Sequence, residues 1–317
     1  MTDTFKKYLL GDNSARIQAV RLENSWQTGL AHQTYPPCIS RLLGELTAAA
    51  VLLATNIKFD GSVVLQLQGD GPVTLIVVEC TSDLTFRATV NLRDPDLVPA
   101  EGTLQTLLNT YDAGRFTVLL DPGRDSDMAP YQGIVPMEGD TVAEVLEAYM
   151  RNSEQLDTRM WLAADGKTAS GLLLQRLPDM GGIATNDGHK TAEGSTPGAD
   201  AESKAETWNR IIHLASTLGE DELLATDTDT IIRRLFWQES LLELESLAPA
   251  WFCPCTRPRV GAMLRMLGRE EIESLLSERE KVSVSCNFCG KPYEFDAVDC
   301  ASLFMDNVDD SGSSTVH

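Results

Sequence analysis

The sequence predicts an α+β chain: an N-terminal α/β domain whose β-sheet is packed by helices, a helical linker, and a small C-terminal four-cysteine domain. Three observations carry this prediction. Short strand-like runs between Ser62 and Leu177 alternate with helix-period stripes. From Gly181 to Glu206 bulky apolar residues almost vanish, so burial there cannot offset chain entropy. Beyond that gap, two amphipathic stripes lead into Cys253-x-Cys255 and Cys286-x-x-Cys289.

The elements follow in order. Ile39 to Asn56 is rich in alanine and leucine, with Arg41 and Glu45 as its only charges, and reads as a largely buried helix. Ser62–Gln68, Val73–Cys80 and Phe86–Leu92 read as strands, the first two joined by a Gly69-Asp70-Gly71-Pro72 turn. That turn is no phosphate cradle, because neither Walker spacing nor a GxGxxG opening a helix is present. Thr141 and Glu144 have the spacing of a capping box, and Val142, Val145, Leu146, Tyr149 and Met150 then recur on one helical face. Strands at Met160–Ala163 and Ser170–Leu177 close a first domain near Pro178, which gives an N-terminal domain of residues 1–180. Residues 181–207 read as a flexible insertion, and residues 208–248 as a metastable helical linker. Trp208, Ile211, Ile212, Ala215 and Leu218 mark one linker helix, and Ile231, Ile232, Leu235 and Phe236 another; both need a docking surface. Residues 306–317 carry Asp306, Asp309 and Asp310 among small polar residues and read as a disordered acidic tail.

Composition limits the function. In 317 residues, 26 lysines and arginines face 47 aspartates and glutamates, and a net charge of −21 disfavours general nucleic-acid binding. The same charge favours solubility. Met1 to Leu10 holds Lys6 and Lys7 without an apolar signal core, so a cytoplasmic location is expected. The apolar stretch Leu46–Ile57, broken by Thr47, Thr55 and Asn56, falls short of the roughly 20 residues of a membrane span.

The cysteines carry the chemistry. In a reducing compartment, two close pairs, Cys253/Cys255 and Cys286/Cys289, suit one tetrahedral zinc ion per chain, each pair giving two ligands from one turn. Gly290 suits the tight backbone after the second pair. Between the pairs, Pro258 opens a helix that carries Val260, Met263, Leu264 and Leu267 and stops at Gly268; Ile272, Leu275 and Leu276 mark a second. Val282 and Val284, then Tyr293 and Phe295, suggest a hairpin presenting Cys286 and Cys289. In this zinc-binding domain, residues 249–305, the metal stands in for a missing core, so its removal or the oxidation of its ligands decides folding. A permanent structural ribbon is the plainer reading. A disulfide across a CxC closes a small strained ring and is labile, which favours a switch.

Cys38 and Cys80 read as buried small residues; Cys300, 11 residues past Cys289 and outside the paired spacing, is not read as a ligand, and its role, a spare reactive thiol among the options, stays open. His32, His189, His213 and His317 form no HExxH motif and no triad, so no catalytic residue is assigned and the chain is read as a non-enzyme. Two rival functions remain. A zinc-ribbon adaptor for nucleic acid or a translation factor needs a basic face, and Arg257, Arg259, Arg265, Arg269 and Arg279 are offset by Glu270, Glu271, Glu273, Glu278 and Glu280. A CxxC oxidoreductase needs a thioredoxin-like βαβ context that is missing around Cys286.

The blocks LLGELTAAAVLLATNIKFDG from Leu42, LQLQGDGPVTLIVVEC after it, GIVPMEGDTVAEVLEAYMRNSEQL from Gly133 and GLLLQRLP from Gly171, followed by both cysteine pairs, make the chain resemble the redox-regulated heat-shock holdases of the 33 kDa chaperonin family. The resemblance covers nearly the whole chain except Gly182–Glu206 and the last dozen residues. It implies a reduced, zinc-bound, inactive state with Cys253, Cys255, Cys286 and Cys289 as thiolate ligands. Oxidation is implied to form Cys253–Cys255 and Cys286–Cys289 disulfides, release zinc, unfold the switch domain and linker, and expose apolar surface to unfolding clients without ATP. A homodimer on oxidation, and thiol reductants and ATP-dependent foldases as partners, are implied in the same way; nucleic acid and membrane are not. The insertion, the acidic tail and Cys300 depart from the family pattern.

Overall fold

The N-terminal segment pairs as two antiparallel strands, β1 (Thr4–Leu10) and β2 (Ala15–Leu22), followed by the short helix α1 (Asn24–Leu30) and the long helix α2 (Pro37–Ala54). These come from a computed structural model that describes residues 3–57, 59–123, 126–178 and 197–305. The chain divides into two compact units, Met1–Phe252 and Cys253–His317. Neither β1 nor β2 is legible from alternation. Lys7, Gln18 and Arg21 occupy buried positions, so polar residues stand where the pattern calls for apolar ones.

After α2 come β3 (Ser62–Gln68), β4 (Val73–Thr81) and β5 (Thr85–Leu92), within about one residue of the expected strands. The turn between β3 and β4 is closed by a 2.9 Å bond from the Gly69 amide to the Thr74 carbonyl. A short helix, α3 (Leu104–Leu108), precedes two further strands, β6 (Arg115–Asp121) and β7 (Tyr131–Pro136). Next are α4 (Val142–Asn152), β8 (Thr158–Ala164) and β9 (Ala169–Arg176). The capping box of α4 is formed as read: Thr141 accepts from the Glu144 amide, and Glu144 reaches back to the Thr141 amide.

The region expected as insertion and helical linker is part helix and part strand. Residues 181–196 of the insertion lie outside the described residues, and α5 (Pro197–Ala215) takes in its end. Then follow α6 (Glu220–Ala225), α7 (Thr228–Phe236), β10 (Leu241–Leu247) and β11 (Ala250–Trp251). Thus the last part of the 208–248 segment is a strand, not a helix. In β10 leucine alternates with glutamate from Leu242 to Glu245, most of its side chains are exposed as on an edge strand, and its backbone finds partners on β1.

The first sheet has the order β10-β1-β2-β9-β8 and is antiparallel throughout; the second runs β11-β5-β4-β3-β6-β7, with only the β11–β5 pair parallel. Helix α2 packs against both sheets, and one core joins Leu46, Val51 and Leu52 to Val20 and Phe5 on the first sheet and Leu65 and Val78 on the second. Length and apolar composition alone would let α2 cross a membrane, but most of it is buried in this core. Gly44 lets it sit close, since a Cβ there would lie 2.4 Å from that of Ala164.

The other face of the first sheet carries the linker helices. Trp208, Ile211, Leu218, Ile231, Leu235 and Phe236 pack on Tyr8, Ile17, Leu172 and Leu174. Both faces of β9 are therefore covered, which is why it reads as a continuous apolar run. Polar contacts pin the docking: Lys6 Nζ lies 2.6 Å from Asp229, and Arg21, 6% exposed, donates to the Leu224 carbonyl at 2.6 Å and the Thr226 carbonyl at 3.2 Å at the end of α6.

Candidate metal centre

The second unit is built from α8 (Arg257–Leu267), α9 (Arg269–Glu278), a hairpin of β12 (Lys281–Ser285) and β13 (Pro292–Asp296), and α10 (Ala297–Met305). Thr256 caps α8 by accepting from the Arg259 amide, and Gly268, at φ 93°, ends it where the sequence places a stop. Contrary to the expectation of a missing core, Leu264, Ile272, Val282, Tyr293 and Phe295 bury one another, though the cluster is small. Helix α10 is absent from the sequence reading, and it brings Cys300 into this core at 2% exposure. Burial pushes the Cys300 thiol up, which makes it a packing residue rather than a reactive spare thiol.

The two cysteine pairs meet at one end of the unit. Cys253 and Cys255 lie on the extended lead into α8, while Cys286 to Cys289 turn between β12 and β13. That turn is closed by the Gly290 amide on the Cys286 carbonyl at 2.8 Å and by the Cys286 amide on the Lys291 carbonyl at 3.0 Å. Gly290 holds φ 65°, the left-handed conformation that favours glycine. The sulfurs of Cys253 and Cys286 are 3.6 Å apart, those of Cys255 and Cys289 3.3 Å, and all four lie within 4.8 Å of one another. A tetrahedral site with metal–sulfur bonds of about 2.3 Å puts its sulfurs roughly 3.8 Å apart, so the four fit such a site. Their chemistry fits as well: four soft thiols without a competing carboxylate in the cluster.

Electrostatics set one thiol apart. Burial alone would raise Cys255, but hydrogen bonds from the Tyr293 hydroxyl, 3.2 Å away, and from the neighbouring thiols outweigh it and bring Cys255 down to about 7. Burial, with Cys255 as a neighbour, pushes Cys289 up to about 12. Tyr293 is the residue of this site that spacing does not single out. Alternation along β13 puts it on one face with Phe295, but only the fold brings its hydroxyl to a sulfur.

The remaining cysteines stay outside the cluster. Cys38 and Cys80 are buried in the first unit, at 5% and 0% exposure, as read from the sequence. Of the arginines near the cluster, Arg257 pairs with Asp299 at 2.6 Å and covers the Phe295 ring at 4.3 Å, Arg259 donates to the Pro254 carbonyl at 3.0 Å, and Arg269 pairs with Glu273 at 2.7 Å.

Comparison with known proteins agrees over nearly the whole length. The family described as Hsp33 protein matches residues 3–296. A 33 kDa chaperonin of Methylobacillus flagellatus is 40% identical over 318 residues, spanning 100% of this chain and 99% of its own. One of Chromobacterium violaceum is 40% identical over 303 residues, with 95% and 94% covered. The crystal structure of a 33 kDa chaperonin (heat shock protein 33 homolog) from Thermotoga maritima superposes with a TM-score of 0.76 at 21% identity, over 98% of this chain and 100% of that one, which shows a shared fold. With the order of its elements and the position of its cysteines alongside these matches, the chain is a member of the Hsp33 family.

Proposed function

We propose that this protein is an ATP-independent holdase chaperone, not an enzyme, that is quiet while reduced and metal-loaded and becomes active when Cys253, Cys255, Cys286 and Cys289 are oxidised. The observation that carries the reading is the gathering of those four sulfurs within 4.8 Å, in a family whose relatives are named chaperonins. Bound through four thiolates, zinc supplies folding energy of about 10–16 kcal/mol near neutral pH, far more than so small a core yields. The chain's own residues do the rest.

Peroxide or hypochlorous acid draws Cys253 with Cys255, and Cys286 with Cys289, into two disulfides. For each, two thiolates lose two electrons; one peroxide molecule takes them with two protons from solvent and leaves as two waters, or one hypochlorous acid takes them with one proton and leaves as chloride and water. Sulfurs so committed no longer serve as thiolate ligands, and the 249–305 domain loses what folds it. The metastable segment, 208–248, then comes away. Its release bares both Trp208, Ile231, Leu235 and Phe236 and the sheet face of Ile17, Leu172 and Leu174. Each such side chain regains about 1.5–3 kcal/mol when an unfolding client covers it. The surplus of negative charge keeps the opened protein dissolved. Two opened copies pair as a homodimer, thiol reductants in the cytoplasm reverse the disulfides, and ATP-dependent foldases receive the clients.

Light scattering of a thermally unfolding client tests this directly. Oxidised, zinc-free protein is expected to suppress scattering at near-stoichiometric ratio while the reduced zinc form does not. Zinc release and the loss of four thiols should rise together during peroxide treatment. Equal protection by the two forms would overturn the regulation, and absence of protection by either would overturn the chaperone reading.

A further inference from the structure

At the end of α2, a cavity of about 180 Å³ opens between the first sheet, α4 and the second sheet. One wall is apolar, made by Leu53, Val63, Val118 and Leu120. Arg16 stands at the polar end with Asn56 and Gln175. The Arg16 guanidinium is spent on a neutral partner: its Nε and Nη2 both donate to the Gln175 side-chain oxygen, the first at 2.8 Å. Among the described residues no carboxylate lies within ion-pairing distance of it.

Burial pushes the Arg16 guanidinium down from its ordinary value while leaving it a full cation, with no carboxylate offsetting the desolvation. The end of α2 does not use that charge, since Lys7 Nζ, not Arg16, donates to the Thr55 carbonyl at 3.0 Å. The neighbouring amides are occupied with each other: Asn56 accepts from Gln18 at 3.0 Å, and the Asn56 Nδ2 and Gln18 Oε1 are both buried away from the cavity.

We infer that this cavity binds a small organic monocarboxylate, its acid group held by Arg16 and its alkyl tail lying on Leu53, Val63, Val118 and Leu120. The forked N–H groups of a guanidinium match the planar, two-oxygen geometry of a carboxylate. A phosphate asks for more donors than these and gains nothing from an apolar wall. Glu154 stands at the lip, where the Tyr149 hydroxyl donates to it at 2.7 Å, and selects against a second acid group on the ligand. This site is separate from the cysteine cluster and independent of the redox reading.

Calorimetric titration of the reduced, zinc-loaded full chain with butyrate, hexanoate, hexanol and succinate provides the test. Hexanoate should bind saturably, roughly tenfold or more tighter than hexanol, and about fourfold tighter for each methylene added from butyrate. Arg16→Gln keeps a donor for Gln175 and should lose hexanoate binding while leaving any hexanol binding unchanged. Val118→Phe, which fills the wall, should also exclude hexanoate. Should either variant fail to fold by circular dichroism, the ligand series on the unmodified chain decides alone. No saturable binding, equal binding of hexanoate and hexanol, or succinate binding as well as hexanoate would overturn the inference.

Discussion

Replacing Glu45 by Gln tests how the linker helices load the long central helix. Glu45 is half-buried on α2, and its carboxyl is pushed up to about 7 from an ordinary value of 4.5. Burial is the main cause; Glu220 on α6 adds to it and Arg41, one turn earlier, opposes it. Between pH 4.5 and 7 the folded protein therefore holds a proton that the unfolded chain has released. Stability from this group is present below that window and is lost as pH rises through 7. Converting the shift gives on the order of 3 kcal/mol across the window. The amide does not ionise, so Glu45→Gln should be more stable than the parent at pH 8 by that order and nearly equal to it at pH 4.5. Urea unfolding followed by tryptophan fluorescence reads this cleanly, because Trp26, Trp161, Trp208, Trp237 and Trp251 all lie in the first unit. Taking the difference between variant and parent at each pH cancels every other titration. Glu220→Gln should move the pH 8 value in the same direction by less, and Arg41→Gln in the opposite direction. A difference that does not change between pH 4.5 and 8 would refute the reasoning.

Other outcomes follow from the same contacts. Cys286→Ser should lose tight zinc binding, with the second unit unfolded at neutral pH; a chromogenic chelator and circular dichroism check both. Arg21→Met removes the cap on the end of α6 and leaves its carbonyls to water, which should cost about 2–4 kcal/mol of docking and speed amide exchange in residues 220–226. Leu235→Ala, in the docked face of α7, should cost about 2–5 kcal/mol and lower the peroxide dose needed for chaperone activity in the scattering assay. Cys300→Ala should keep zinc stoichiometry, and mass spectrometry after thiol labelling of the folded, zinc-loaded protein should find Cys300 unmodified.

The parts of the fold legible in sequence are those where one physical signal dominates. An apolar stripe marks α2, a reciprocal cap marks α4, and β-branched and apolar runs on either side of the Gly69–Pro72 turn mark β3 and β4. Where polar residues are buried for local reasons, the signal fails. Gln18 and Arg21 mask β2, and the one serves the end of α2 while the other serves the end of α6. Strand β10 hides for another reason: it is an edge strand that owes its place to hydrogen bonds with β1, some 230 residues earlier, and no local pattern announces so distant a partner. Of the cysteine site, pairing and spacing bring out all four sulfurs. Tyr293 and the burial of Cys300 depend on how β13 and α10 fold back, and so emerge only in three dimensions.

Strands β10 and β11 are neighbours in sequence yet finish opposite sheets, one against β1 and the other against β5. The stretch from Leu241 to Trp251 thus works as a lace drawn through the margins of both layers, immediately before Cys253. A lace of this sort can be pulled without tearing the fabric: the seams it closes lie at the rim, and the central helix with its two inner layers stays whole while they part. Whatever loosens the following segment reaches the first unit at its hem, so opening there can be undone by re-threading a few outer hydrogen bonds, without folding the body of the protein anew.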